Sequence, residues 1–113
     1  MRDKRRAEPS SALLSSNGCL RLSSDLVPDD ARKKKIEMVV APLPGSVLML
    51  RQATSADRRE GLAIRRLMWA NKAARCPMIA VRFAMKFLGV RIPKKSSLHK
   101  VRRGQNGKLF VKF

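Results

Sequence analysis

Residues 54–89 read TSADRREGLAIRRLMWANKAARCPMIAVRFAMKFLG, and the way this stretch folds decides what the rest of the chain can build. Thr54 or Ser55 can cap a helix whose first turn holds Asp57 and Glu60, which sets negative charge at the positive end of the helix dipole. Pro77 disfavours helical geometry at Cys76, so the first helix is expected over about 55–75. At about 100° per residue, Ala63, Ile64, Leu67, Met68, Ala70 and Ala74 share an apolar sector, while Arg58, Arg59, Arg65, Arg66 and Lys72 fall opposite. The spacing predicts an amphipathic helix with a basic face, closed by Arg75. Pro77 then suits the first position of a second helix, over about 77–89, with Gly89 as its stop. That helix is apolar nearly all round except for Arg82 and Lys86, an i,i+4 pair forming a narrow basic stripe, and it is expected to lie buried between partners. Trp69 falls among the cations of the first helix, four residues after Arg65. It can stack on an unpaired base, or pack under an adjoining segment and pin the helix; the sequence leaves both open.

Upstream, residues 1–35 are rich in Ser, Pro, Asp and basic residues, with short apolar islands at Leu13–Leu14 and Leu20–Leu22. They are expected to form an irregular, extended arm. Residues 36–50, IEMVVAPLPGSVLML, hold two apolar stretches separated by Pro42, Pro44 and Gly45, which predicts two short extended segments around a turn, with a short hairpin possible. Downstream, Gln105-Asn106-Gly107 is a turn signal followed by the alternation Leu109, Val111, Phe113. A short basic β-ribbon or tail is expected there. The fold class is therefore mainly α with extended arms. Residues 1–50 form an arm, and residues 51–113 form a basic region of helices and tail.

Lys and Arg number 26 against 8 acids, a formal charge of +18 over 113 residues. Residues 1–50 carry nine cations against six acids, and residues 51–113 carry seventeen against two. No acid follows Glu60, whereas a solvated surface normally mixes signs. Fourteen cations over residues 61–113 with no carboxylate therefore point to a polyanion. Nucleic acid supplies a dense row of phosphates, and each contact releases counterions whatever the base sequence. The residues expected to meet RNA are Arg58, Arg59, Arg65, Arg66, Trp69, Lys72, Arg75, Arg82, Lys86, Arg91, Lys94, Lys95, His99, Lys100, Arg102, Arg103 and Lys108. The same composition disfavours an enzyme. One histidine and eight acids gathered toward the N-terminal end assemble no nucleophile, base and acid set. Cys19 and Cys76 have no metal-ligand spacing and are expected as free thiols. No apolar run reaches the length of a membrane span, since Arg82 and Lys86 interrupt the best candidate.

The stretch PKKSSLHKVRRGQNGKLFV, residues 93–111, resembles the zinc-knuckle protein of the bacterial-type large ribosomal subunit, in which a Lys-Lys pair precedes a metal knuckle and a basic Arg-Arg-x-Gly strand. On that resemblance Ser96 or Ser97 and His99 stand where the family places thiolate ligands, and Phe113 stands near another. Zinc needs four nitrogen or sulfur donors, and this tail offers one imidazole, so neither metal nor cofactor is expected. The same residues also resemble the loop of the small-subunit decoding-centre protein, through Pro93-Lys94-Lys95, Ser97-Leu98, Lys100-Val101 and Asn106-Gly107. Both resemblances imply contact with rRNA. The expected function is thus that of a structural constituent of a ribosome, with a mitochondrial one favoured because such ribosomes use short idiosyncratic chains. Its partners would be rRNA and neighbouring ribosomal proteins, with no small-molecule substrate and no membrane. Two other classes remain: an accessory subunit of a membrane-associated organellar complex, with residues 77–90 at the lipid interface, and a small DNA-binding protein.

Overall fold

In the computed structural model, which describes residues 10–28 and 30–113, the chain is mostly antiparallel β. Eight strands follow one another: β1 (Ser11–Leu14), β2 (Cys19–Leu22), β3 (Glu37–Leu43), β4 (Val47–Gln52), β5 (Ile64–Arg66), β6 (Met78–Ala80), β7 (Ser97–Arg103) and β8 (Leu109–Lys112). Three short helices interrupt them: α1 (Ala31–Lys34), α2 (Ser55–Arg59) and α3 (Arg82–Leu88). The strands pair in the order β5-β3-β4-β8-β7-β1-β2-β6. The two outer members curl toward each other, and Met68 and Met78 exchange backbone hydrogen bonds of 2.8 and 2.7 Å across the gap. The sheet is thereby a nearly closed barrel.

The core follows from alternation along the strands, since side chains two apart share a face. Ala12, Leu14, Leu20, Leu22, Val40, Leu48, Leu50, Ile79 and Val111 point inward and are almost wholly buried. Burying a leucine completely is worth about 1.5–3 kcal/mol, and the cluster draws on strands from the first and last thirds of the chain. α3 packs on β3 and closes one end of the barrel with Ala84 and Met85. The opposite end is covered by the segment from Ser24 through α1, where Ala31 joins the same core.

This overturns the expectation of a mainly α chain. The helix expected over 55–75 stops after Arg59, because Gly61 at φ +73° takes the left-handed geometry that ends helices readily. Residues 64–66 then pair with Glu37, Met38 and Val39 as a strand. The apolar spacing that suggested a helix is met instead by non-local pairing, which decides strand formation more than local preference does. The helix expected from Pro77 starts at Arg82. Met78–Ala80 form β6 against β2, since a short apolar run fits a buried strand as readily as a buried helix. Gly89 does terminate α3, at φ +74°.

The irregular N-terminal extension is corrected too. The islands at Leu13–Leu14 and Leu20–Leu22 are β1 and β2, paired with each other and placed between β7 and β6. Residues 1–9 lie outside the described part. The hairpin left open for residues 36–50 forms as β3–β4, running from Met38↔Gln52 to Leu43↔Val47. The turn at Gln105–Gly107 also forms, with Asn106 at φ +59°. It joins β7 and β8 as two staves of the barrel wall, paired on either side, rather than as a free ribbon.

Candidate nucleic-acid interface

The barrel surface divides by charge. Of the described acids, Asp57 lies in α2 and Glu60 caps it, Glu37 opens β3, and Asp25 and Asp30 lie in the segment covering the end away from α3. The Arg51 guanidinium donates to both carboxylate oxygens of Asp57 at 2.7 Å, and this, with the Thr54 backbone donor, holds the Asp57 carboxyl well below the usual range. Thr54 and Asp57 form a capping box at the start of α2. Arg58 meets Glu37, Lys34 meets Asp30 and Arg103 meets Asp25. Burial acts to raise the Asp25 carboxyl, but hydrogen bonds from Ser23, Ser10 and Arg103 outweigh it and hold the carboxyl well below its ordinary value.

The outer face of β8, β7, β1 and β2 has a different make-up. Inward positions alternate with outward ones, so Phe110 and Lys112 of β8, Leu98, Lys100 and Arg102 of β7, Leu13 of β1 and Arg21 of β2 share the outside. Arg102 lies opposite Phe110 in the ladder, with its guanidinium carbon 5.4 Å from the ring centre. Lys112 lies opposite Val47, and Lys100 opposite Ser11. Leu98 pairs with Leu13, which pairs in turn with Arg21. The four cations Arg21, Lys100, Arg102 and Lys112 are exposed, and none forms a salt bridge to a carboxylate among the described residues. Toward the α3 end the same holds for Arg82, Lys86, Arg91, Lys94 and Lys95, all exposed. A polyanion laid on this side would meet cations with no competing internal carboxylate.

The residues expected to meet RNA are therefore sorted by the fold rather than gathered on a helix. Arg65 and Arg66, neighbours in β5, point to opposite sides of the sheet. Arg65 lies over the Phe83 ring of α3 at 4.6 Å, and Arg66 sits opposite Glu37. Arg58 is held by Glu37, and Arg59 is exposed beside it. Trp69 stands in the loop before β6, half-buried, with the Arg32 guanidinium 5.3 Å above it. Arg32 also donates to the backbone carbonyls of Asn71, Lys72 and Ala74, so this loop is held against α1 with the Trp69 ring beneath Arg32. Lys72 and Arg75 are exposed on that loop.

His99 points into the barrel beside Phe113, with ring centres 4.7 Å apart and Ser97 Oγ 2.8 Å from Nε2. Burial lowers its pKa, and a hydrogen bond to the Lys112 backbone opposes that shift. Its ring packs against Phe113. Arg103, bound to Asp25, and Lys108 lie by the β7–β8 turn at the far end. Arg21, Phe110 and Lys112 are not among the residues that the sequence singles out for RNA contact. The patterns Leu20-Arg21-Leu22 and Leu109-Phe110-Val111-Lys112 carry the signal, since strict alternation turns Arg21, Phe110 and Lys112 away from the buried residues.

Among the described residues no three His, Cys, Asp or Glu side chains approach closely enough to hold a metal. Cys19 and Cys76 are free and half-buried. No helix among them is long and apolar enough to cross a membrane. Comparison with known proteins finds no matching family model, no similar curated protein and no similar solved structure.

Proposed function

We propose that the chain is an RNA-binding structural protein of a ribonucleoprotein particle, the ribosome being the particle expected from its composition, with mitochondria the favoured compartment. The observation that carries the reading is the side formed by β8, β7, β1, β2 and α3, where cations are exposed without carboxylates among the described residues, while Asp25, Asp30, Glu37 and Asp57 elsewhere are each paired with a cation. Phosphates would be met by Arg21, Lys86, Lys94, Lys95, Lys100 and Lys112. The role is electrostatic and steric rather than catalytic. Affinity should fall steeply with salt, with a slope of roughly 0.7 per phosphate contact on single strands and 0.9 on duplexes. A salt titration of RNA binding, paired with sedimentation of native lysate before and after RNase, tests this. Affinity indifferent to salt, or migration unchanged by RNase, would sink it.

One observation favours a second reading. Phe87 of α3 is 79 % exposed next to Lys86, an arrangement suited to an anionic lipid surface. α3 spends the rest of its apolar face on the core through Ala84 and Met85, which leaves a single aromatic anchor. Release by carbonate but not by RNase would favour that reading.

A further inference from the structure

The outer face of β8, β7, β1 and β2 is not uniformly charged. Leu98 is 50 % exposed in the middle of it, and its pairing partner Leu13 is half-buried beside it. One step along, Lys100 and Lys112 project from the adjacent strands β7 and β8. One step further, Arg102 lies over Phe110. Adjacent strands stand about 4.8 Å apart and side chains alternate along each. The face is therefore a narrow band in which apolar and planar groups are interleaved with cations at the spacing of single side chains.

A duplex presents phosphates outward and keeps its base faces stacked inside, so it would satisfy the lysines and leave Leu98 and the Arg102–Phe110 pair against sugar and phosphate. A single strand presents phosphates and the flat faces of its bases together. A guanidinium resting over an aromatic ring, its carbon 5.4 Å from the ring centre, is a planar group that can also stack on a base, and an exposed leucine beside it offers apolar contact. The geometry points to unpaired RNA as the occupant of this face, with Lys100 and Lys112 on phosphates and Leu98 and the Arg102–Phe110 pair under bases. This rests on the RNA-binding reading and narrows it to one class of RNA.

The test uses the full chain with three fluorescent probes: an unstructured RNA single strand, an RNA duplex of the same length, and heparin as a polyanion without bases. Two variants separate stacking from charge. Arg102→Lys keeps the charge but loses the planar group, and Leu98→Ser removes exposed apolar surface. Circular dichroism checks that both stay folded, and the two variants stand in for each other if one does not. The expected result is that wild type prefers the single strand at least tenfold over duplex and heparin at moderate salt. Each variant should lose about fivefold or more on the single strand, with duplex affinity and both salt slopes unchanged. Equal affinity for the three probes, or variants that bind the single strand like wild type, overturns the inference while leaving salt-dependent RNA binding intact. Failure to bind either RNA in a salt-dependent way overturns both readings together.

Discussion

On the α2 side of the barrel Arg51 grips Asp57 with both arms of its guanidinium and Arg58 meets Glu37, whereas on the β8–β7–β1–β2 face Lys100, Lys112 and Arg21 meet no carboxylate among the described residues. The two regions are built on one sheet and one core, and both are rich in arginine or lysine. What separates them is where the acids are. Removing Arg51 costs the fold dearly, because it leaves the buried Asp57 carboxylate uncompensated, whereas the more exposed Arg58–Glu37 pair contributes less. An unpaired cation costs the fold little to lose, and removing it relieves self-repulsion in a chain of formal charge +18. Counting cations along the sequence treats the two as equal, whereas the fold ties Arg51 and Arg58 to carboxylates and leaves Lys100, Lys112 and Arg21 without one among the described residues.

That contrast can be broken by experiment, most forcefully through the shared core. Leu20→Ala should cost about 2–5 kcal/mol, and thermal unfolding should remain a single transition in which both sides melt together. If the α2 side kept a transition of its own, the two regions would be separate units and the comparison would fail. A smaller but sharper effect is expected from Asp57→Asn. It should lower the melting temperature by several degrees while salt-dependent RNA affinity, measured well below that temperature, stays within twofold of wild type. A parallel loss of RNA affinity would place the α2 side in the interface.

Acid should reach the two sides differently. Asp25 and Asp57 have folded pKa values below the ordinary 3.8, so the stability they confer is fully present above that value and is lost as pH falls through the lower folded values. His99 has a folded pKa below 6.5. The unfolded chain therefore takes up its proton first, and stability begins to fall as pH drops below 6.5. Chemical denaturation across pH should show a shallow decline below 6.5 and a steeper one in strong acid. His99→Gln should flatten the first and spare the second. The smallest effect is expected from Lys100→Ala with Lys112→Ala, which should raise the melting temperature by a degree or two in low salt. The gain should vanish near 1 M salt, where the screening length is about 3 Å. A loss of stability would mean that these lysines do have internal partners.

The parts of the fold that were legible beforehand are those written in contiguous residues. The Gln105-Asn106-Gly107 turn with its alternation, the Thr54 cap and the stop at Gly89 are local features, and each appears where the residues put it. The strands β5 and β6 are three residues long, too short to carry a period of their own. Their identity comes from Glu37–Val39 and Cys19–Arg21, which lie far away in the chain. The same holds for the interface. That residues 61–113 carry cations without acids was plain from the sequence. Which of those cations stand together depends on register, and register turns Arg65 and Arg66 to opposite faces and His99 inward. The Trp69 ring could not be assigned either, because Arg32, which covers it, belongs to the segment expected to be an irregular arm.

The bridge between Met68 and Met78 has a consequence for how the molecule ages and assembles. An open eight-stranded sheet would end in two rows of unpaired amides, ready templates for a neighbouring chain. Here the rows are turned on each other, and two backbone hydrogen bonds stitch the seam. It is also the thinnest join in the wall, held by strands of three residues on either side. Amide exchange at Met68 and Met78 should proceed by local opening, ahead of the strands around Leu20 and Leu50. The barrel would then unzip first along this line, and a chain that has done so would expose fresh edges to its neighbours.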